Sequence, residues 1–310
     1  MKAALCFIIS YDHNLNKEEI WKEWIRPNQD IINVYFHYKD YDKISSNWIR
    51  ERAIPKDYTV ETSYYYVVPA YMSLLSWAEK EDVENQWFCM LTESCVPIIS
   101  PSRFRRIFFQ NYNKSIMRWK PAWWNVKFQK RANLRMLPDE YHIGNDPWFI
   151  LCKKDVKSCQ WFSIETKKIY NTVCTGGLAN ESVFAIALKY CQRLPFVKNE
   201  VTHLTDWNRR TSSTSPWLFK ESTKENIEFI ENGLAENKYA IFLRKVATDF
   251  PDDVLMKYIN KPDEDFESVV FGTETELITR LVHVLFLFMF FYFCKMFFFI
   301  LINPQNIVKV

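Results

Sequence analysis

The chain has 310 residues, of which 48% are hydrophobic and 17% are aromatic. This content is enough for one large or two small globular domains with a packed core, and it argues against extensive disorder. The 40 basic and 37 acidic residues give a net charge of +3 and form no long block of one sign, so the composition does not indicate a nucleic-acid-binding protein.

The N-terminal residues predict the β-α-β pattern of a parallel sheet. Apolar strands are expected at 4–10 (ALCFIIS) and 32–38 (INVYFHY), with a helix at 16–25 (NKEEIWKEWI) between them. Asn16 is the predicted N-cap of this helix, because its side chain can accept a hydrogen bond from the first turn. The apolar start MKAALCFIISYD is too short for a signal peptide or a spanning helix and therefore favours a buried strand.

The next segments predict the centre of the sheet. A short strand is expected near 58–62 (YTVET) and a helix at 67–81 (VVPAYMSLLSWAEKE). The run 87–99 (WFCMLTESCVPII) is continuously apolar in its first half and becomes polar at Thr92-Glu93-Ser94. This pattern is typical of a central parallel strand that ends at the carboxyl edge of the sheet, where open α/β sheets bind ligands.

The second half of the soluble part alternates further helices and strands. An aromatic and basic stretch at 103–131 comes first, and the overlapping run 127–135 (KFQKRANLR) is interpreted as a solvated loop or helix face rather than an anion site. Further elements are predicted in this order: strand 146–153 (DPWFILCK), helix 153–173 (KKDVKSCQWFSIETKKIYNTV), strand 200–207 (EVTHLTDW), helix 220–234 (KESTKENIEFIENGL) and strand 239–245 (YAIFLRK).

An apolar run at 281–302 (LVHVLFLFMFFYFCKMFFFILI) is long enough to cross a bilayer. We predict a single transmembrane helix here, while Lys295 within the run leaves a buried terminal helix or an interfacial helix open. The expected organisation is a globular domain at 1–262, an acidic linker at 263–280 and this membrane helix. A tail anchor would place the domain on the cytosolic face, but the flanking charges do not decide the orientation.

The eight cysteines contain no CxxC pair and no spacing with histidines that suits zinc, so no structural metal site is predicted. Their even number permits disulfides in an oxidising compartment, and buried free thiols are an equally ordinary alternative. The spacing of the cysteines does not distinguish the two.

Five segments together resemble a known enzyme family: WFCMLTESCVPIISPSRF, DPWFILCKKDV, LANESVFAIAL, HLTDW and YAIFLRKV. Their order and separations resemble the core-2/I-branching β-1,6-N-acetylglucosaminyltransferase family, glycosyltransferase family fourteen, over residues 3–250. The resemblance implies a GT-A fold and inverting transfer of a sugar, expected to be N-acetylglucosamine, from a UDP-sugar to a glycan or glycoprotein acceptor. It also implies that no metal ion or other cofactor takes part. Because relatives work in the secretory lumen, the compartment of the soluble domain stays open.

By this resemblance, Glu181 matches the second acid of a family Asp-Glu pair and would be the general base that takes the proton of the acceptor hydroxyl. Its surroundings suit that role, because Gly176-Gly177 allow the loop to approach a ligand and Asn180 is the predicted cap of a helix beside it. From the local sequence alone, an ordinary first-turn residue that interacts with the helix dipole is the better explanation of Glu181.

The same resemblance suggests the residues that bind the donor. Lys245, with Arg244 before it, matches the closing motif of the family and would hold the departing diphosphate without a metal ion. One of Arg209 and Arg210 is a candidate second cation, and solvated loop arginines are the alternative.

Further candidates lie at strand ends and among the tryptophans. His37 and Lys39 end the second strand, where family members contact the nucleotide, and ordinary surface residues are an equal alternative. Glu93 and Ser94 at the sheet edge are also donor-binding candidates. The acceptor is expected to stack on tryptophans, some of which are equally expected in the core: Trp119, Trp123, Trp124 and Trp148.

The chain departs from the family pattern at the predicted site. Asn145-Asp146 stands where the family has Gly-Ser, and Asn180 stands where it has Asp. Asp40-Tyr41-Asp42 matches the metal-binding Asp-x-Asp of other GT-A enzymes, but it follows the second strand and is interpreted as a loop. One alternative function is therefore a catalytically inactive, membrane-tethered relative that binds glycans or nucleotides. Another is a membrane protein whose soluble part only mediates contacts.

Overall fold

The computed structural model describes residues 1–9, 14–63, 65–212 and 214–263. Residues Met1–Lys261 form one compact unit. The predicted linker, apart from its first residue, and the predicted helix at 281–302 lie outside the described residues. Within the described ranges, no helix has the length and apolar character needed to cross a membrane.

The strands form a central sheet and two smaller ones. They are β1 (Lys2–Ile9), β2 (Ile32–Tyr38), β3 (Asn85–Thr92), β4 (Val96–Pro97), β5 (Trp119–Pro121), β6 (Ile143–Asn145), β7 (Ile150–Cys152), β8 (His203–Thr205) and β9 (Phe242–Arg244). The central sheet has the order β2-β1-β3-β7, the second sheet has the order β4-β9-β8, and β5 pairs with β6. In the central sheet β1, β2 and β3 run parallel and β7 runs antiparallel. The predicted α/β class with a mostly parallel sheet is therefore confirmed.

Helices cover both faces of the central sheet. They are α1 (Glu18–Ile25), α2 (Asn47–Arg50), α3 (Val68–Glu81), α4 (Pro101–Asn111), α5 (Lys153–Glu165), α6 (Lys167–Cys174), α7 (Val183–Tyr190), α8 (Lys224–Glu236) and α9 (Asp252–Ile259). Alternate residues of β1 enter two different apolar clusters, one with Trp21 and Trp24 of α1 and the other with Leu74 and Leu75 of α3. A strand buried on both faces must be continuously apolar, which is why β1 has no polar alternation.

Three predicted details of the elements were wrong. Asn16 does not cap α1, because its amide donates to the Val246 carbonyl at 2.7 Å and the helix begins after Lys17 without a side-chain cap. The predicted strand at 58–62 does not form, because the chain pairs with Phe36 at Ala53 instead. The predicted helix at 153–173 is divided into α5 and α6 at Thr166, whose hydroxyl donates back to the Phe162 carbonyl at 2.5 Å.

The polar turn after β3 carries the chain from the central sheet into the second sheet. β3 ends at Thr92, and β4 follows only a few residues later and pairs with β9. The carboxyl ends of β3 and β9 therefore meet at Glu93 and Ser94. This is the sheet edge at which the sequence predicted ligand binding.

Candidate active site

Hydrogen bonds hold the turn after β3 against the end of β9. The Arg244 guanidinium donates to the hydroxyls of Thr92 and Ser94, at 2.7 Å for Ser94. The Val246 N–H donates to the Ser94 carbonyl at 2.9 Å, and the Asn16 N–H donates to the Glu93 carbonyl at 3.0 Å. The predicted donor-binding residues Glu93, Ser94 and Arg244 are thus brought together at one edge.

Two cationic residues that are consecutive in the chain, Arg244 and Lys245, lie at this edge of the sheet. Arg244 stacks over the Trp148 ring, with its guanidinium carbon 4.1 Å from the ring centroid. Lys245 donates to the Ser215 hydroxyl at 3.4 Å. Burial lowers the pKa of Lys245, and the neighbouring Arg244 charge lowers it further, while Glu93 acts in the opposite direction. An anion bound here would relieve the repulsion between two partly desolvated cations.

The two predicted donor-binding arginines, Arg209 and Arg210, differ in whether their charge is free to bind an anion. Arg209 is bound by Asp206 at 2.6 Å and by Glu225 at 3.2 Å, so its charge is already neutralised. Arg210 is exposed on the same loop. The alternative of a solvated loop arginine therefore fits Arg210, whereas Arg209 is an ion-paired and largely buried side chain.

His37 lies inside the protein instead of at a surface. Its side chain has no exposed area, and its Nε2 accepts the Val60 N–H at 3.1 Å. Burial lowers the pKa of His37 to about 4, so the ring is neutral at neutral pH. The sequence left open whether His37 contacts the nucleotide or is an ordinary surface residue. It is not a surface residue, and a nucleotide could contact its ring only if the residues that bury it moved. Lys39, by contrast, is exposed.

Glu181 ends a short 3-10 turn, Ala179–Glu181, just before α7. Asn180 was the predicted cap of this helix, and that prediction was wrong: Ser182 occupies the N-cap position, without a side-chain cap. Asn145 fixes this segment instead. Its amide donates to the Asn180 carbonyl at 3.0 Å and its side-chain oxygen accepts the Ala185 N–H at 3.2 Å.

An unpredicted partner, Arg131, contacts the Glu181 carboxylate. The Arg131 Nη2 forms an ion pair with Glu181 Oε2, and both side chains are largely buried. The same guanidinium stacks on Trp124 at 4.3 Å and on Trp123 at 5.4 Å. The interpretation of 127–135 as a solvated loop or helix face was therefore wrong for Arg131. A carboxylate far away in the sequence and two indole rings bury its guanidinium.

The glycine pair before Glu181 permits this contact. A Cβ on Gly176 would lie 2.3 Å from the Asn133 nitrogen and 2.5 Å from the Ala132 carbonyl carbon. The Ala132 N–H also donates to the Gly177 carbonyl at 2.9 Å. The pair was predicted to let the loop approach a ligand, but at Gly176 the approaching group is the backbone of the protein itself, which brings Arg131 to Glu181.

Tyr71, which the sequence did not indicate, connects the two ends of the site. Its hydroxyl donates to the Pro147 carbonyl at 2.9 Å. Burial raises the pKa of Tyr71, while the Arg244 charge and the Asn180 side chain both act to lower it. Pro147 thus joins Tyr71 to the segment in which Asn145 binds the Asn180 carbonyl and Trp148 stacks under Arg244.

The predicted acceptor-binding tryptophans divide as expected between surface and core. Trp123 is 45% exposed, whereas Trp124 is buried beside it, with their ring centroids 4.9 Å apart. Trp119 is partly buried on β5. Trp148 supports Arg244 and therefore lies nearer the donor candidates than the other three.

Two other features lie away from this site. Asp40 and Asp42 form ion pairs with Lys43 at 3.0 Å and Lys56 at 3.1 Å. A cavity of about 670 Å³ opens beside the outer edge of β2, and residues such as Lys22, Trp48 and Arg52 line it. It contains none of the predicted site residues.

Comparison with known proteins identifies the family. A family model described as Core-2/I-Branching enzyme matches residues 5–227, which is more than half of the chain. The match includes the turn after β3 and Glu181 but ends before β9. No curated protein matches the sequence. The chain therefore belongs to the core-2/I-branching family of glycosyltransferases.

Proposed function

We propose that the protein is an inverting, metal-independent glycosyltransferase. It moves N-acetylglucosamine from UDP-N-acetylglucosamine to a glycan or glycoprotein acceptor, with Glu181 as the general base and Lys245, beside Arg244, holding the diphosphate. One observation carries the proposal. In a chain of a glycosyltransferase family, one short segment contacts both parts of the site: Asn145 donates to the Asn180 carbonyl beside Glu181, and Trp148 stacks under Arg244.

The chemistry assigns a separate task to each end of the site. The acceptor hydroxyl attacks the anomeric carbon of the donor sugar and transfers its proton to Glu181. Arg131 forms an ion pair with this carboxylate, which holds the carboxylate in one orientation.

On the opposite side of the anomeric carbon, the bond to the diphosphate breaks and negative charge develops on the leaving oxygen. Lys245 and Arg244 stabilise that charge by direct ion pairing, which is the task that a metal ion performs in other enzymes. Base and leaving group lie on opposite faces of the sugar, which accounts for inversion.

The replacement Glu181→Gln tests the base. It keeps the shape of the side chain and an acceptor for Arg131 but cannot take a proton. We expect the transfer rate, measured with UDP-N-acetylglucosamine, mixed glycan acceptors and a chelator, to fall by about 10²- to 10⁴-fold. UDP affinity and the melting temperature should stay close to those of the wild type. Glu165→Gln, on the exposed face of α5, is the matched control. An unchanged rate in Glu181→Gln would contradict the assignment.

A second candidate function is a membrane-tethered binding protein that has lost catalysis. It is favoured by the pairing of Glu181 with Arg131 and by Asn180 in place of the family acid. This candidate predicts that UDP-sugars raise the melting temperature without any release of UDP. If the protein is instead an active glycosyltransferase, UDP is released when an acceptor is added.

A further inference from the structure

One long stretch of the chain carries many positive charges and no negative ones. Residues 94–138 contain ten basic side chains and no aspartate or glutamate, in a protein with 40 basic and 37 acidic residues overall. Acids from elsewhere in the chain pair with Arg105 at 2.8 Å and with Arg131. Arg118 and Lys120 are exposed, and among the described residues no salt bridge is formed to either of them. The stretch therefore leaves positive charge at the surface.

Arg118 and Lys120 share one face of the β5–β6 pair. Lys120 pairs with Gly144, and the Asp146 N–H donates to the Arg118 carbonyl at 2.9 Å, which extends the pairing by one residue. Because side chains alternate between the two faces of a strand, both cations project from the same face. Asp146 lies opposite Arg118, and both positive charges act on its carboxyl. Two cations therefore outweigh one acid here, even when the acid is ionised.

The Trp123 ring lies over the same face. A Cβ on Gly144 would be 2.6 Å from this ring, and the Lys120 ammonium lies 4.9 Å from the ring centroid. The side chain of Trp123 is still 45% exposed. We call the surface formed by Arg118, Lys120 and Trp123 the cationic face.

The cationic face adjoins the proposed base. The Arg131 guanidinium lies 5.4 Å from the centroid of the Trp123 ring, and the same guanidinium forms the ion pair with Glu181. A ligand that contacts the exposed part of Trp123 is therefore separated from the Glu181 carboxylate by one arginine side chain. Because the chain belongs to a glycosyltransferase family, a sugar is the ligand expected beside this carboxylate.

The side chains of the cationic face match different parts of an acidic sugar chain. An exposed indole can pack against the apolar C–H groups of a sugar ring. The Arg118 guanidinium and the Lys120 ammonium are donors only, and they form their strongest hydrogen bonds with anionic acceptors such as carboxylate and sulfate. A neutral glycan would leave both cations without an anionic partner.

We infer that the acceptor is an anionic glycan, whose carboxylate or sulfate group binds to Arg118 and Lys120 while one of its sugar rings stacks on Trp123. This inference rests on the proposed function, and it names the class of acceptor that the proposed function leaves open. Carboxylate and sulfate share the chemistry that the two cations recognise, so the experiment includes both.

Two matched pairs of oligosaccharides test the inference. One pair is a hyaluronan tetrasaccharide and its carboxyl-reduced neutral form, and the other is an N-acetyllactosamine tetrasaccharide with and without a 6-O-sulfate. Binding to the full chain is measured by calorimetric titration with UDP present. In at least one pair, we expect the anionic member to bind about tenfold or more tightly than its neutral counterpart, as for hydrogen bonds to charged groups. This advantage should shrink as salt is added. No advantage in either pair would overturn the inference.

Variants of the cationic face locate the effect. Arg118→Gln combined with Lys120→Gln should abolish the advantage of the anionic member, because both cationic donors are lost. Trp123→Ala should weaken the binding of both members of a pair, because stacking does not depend on charge. Lys220→Gln combined with Lys224→Gln removes two exposed charges elsewhere and is the matched control, which should keep the advantage. A full advantage in the folded Arg118→Gln, Lys120→Gln protein would overturn the inference.

The titrations need no turnover, so failure of the inference can be told apart from failure of the proposed function. Release of UDP from UDP-N-acetylglucosamine with neutral acceptors, without tighter binding of the anionic ones, would overturn the inference and leave the proposed function intact. Selective binding of the anionic oligosaccharides without any release of UDP would support the cationic face as a glycan-binding surface and count against the proposed function.

Discussion

At the scale of single residues, the surroundings of a charge determine what it can bind. Arg209 and Lys245 both follow strands of the second sheet, and both were candidates for the diphosphate. Two carboxylates neutralise Arg209, whereas Lys245 lies beside another cation and bonds to a serine hydroxyl. Local sequence cannot show this difference. Asp206 is close to Arg209 in the chain, but Glu225 contacts Arg209, and Ser215 contacts Lys245, only in the folded protein.

The lowered pKa of Lys245 predicts a pH dependence of UDP binding. Its ammonium loses the proton at a lower pH than an ordinary lysine with a pKa of 10.5, so UDP affinity should fall as the pH rises through the lowered value. Lys245→Arg should keep its charge and show a flatter profile in calorimetric titrations across alkaline pH. Lys245→Met should lose roughly tenfold or more of the affinity already at neutral pH, because a charge-assisted contact is removed.

Lys220→Met, at an exposed position before α8, serves as the control for the loss of one positive charge. Equal UDP affinity for Lys245→Met and Lys220→Met would exclude Lys245 from the diphosphate site.

At the scale of elements, periodicity predicted α3 closely, but it did not indicate α2, α4 or α9 and it predicted one helix where α5 and α6 stand. The apolar positions of α3 lie on one face, and the helix begins and ends within one residue of the predicted range. The loop that carries Arg131 has no periodic pattern, and two successive residues, Ala132 and Asn133, adopt left-handed conformations there. Residue type makes this conformation less unusual at Asn133, but it does not predict it at Ala132, where surrounding contacts hold the backbone.

The close approach at Gly176 gives a matched pair of variants. In Gly176→Ala the added methyl would overlap the backbone of Ala132 and Asn133, which cannot rotate away. We expect a loss of about 1–3 kcal/mol of unfolding free energy in denaturant titrations, and slower transfer because Arg131 is displaced from Glu181. Gly177→Ala should be nearly neutral, since its nearest neighbour is a Tyr65 side-chain atom at 3.5 Å. Equal stability of the two variants would refute the role given to Gly176.

At the scale of the whole molecule, the central sheet separates two apolar clusters that together form the core. Both clusters draw on β1 and β3, so the unit Met1–Lys261 should fold cooperatively. The burial of these strands on both faces also explains why the sequence showed the α/β class so clearly. Continuous apolar runs separated by amphipathic helices are compatible with few other architectures.

The organisation of the chain predicts the behaviour of a truncated protein. A chain that ends at residue 262 should unfold in one transition, with the melting temperature and UDP affinity of the full chain. It should also lose the membrane association that the apolar run at 281–302 predicts, as measured by co-sedimentation with membranes. A full-length variant with Leu287→Asp and Phe290→Asp is the control, because each acidic residue in the centre of a spanning helix costs about 2.5–3.5 kcal/mol. Membrane binding by the truncated chain would refute the predicted anchor.

The sequence by itself determined the α/β class, the mostly parallel sheet, the polar edge after β3 and the family of the protein. These features depend on local patterns: apolar runs, helical periodicity and short motifs in order. Only the tertiary structure decided that Arg131 pairs with Glu181, that Arg209 is neutralised and that His37 is buried. Each of these depends on which distant residues share a desolvated space, because the strength of a charge interaction is set by burial and partners, and a linear sequence specifies neither directly.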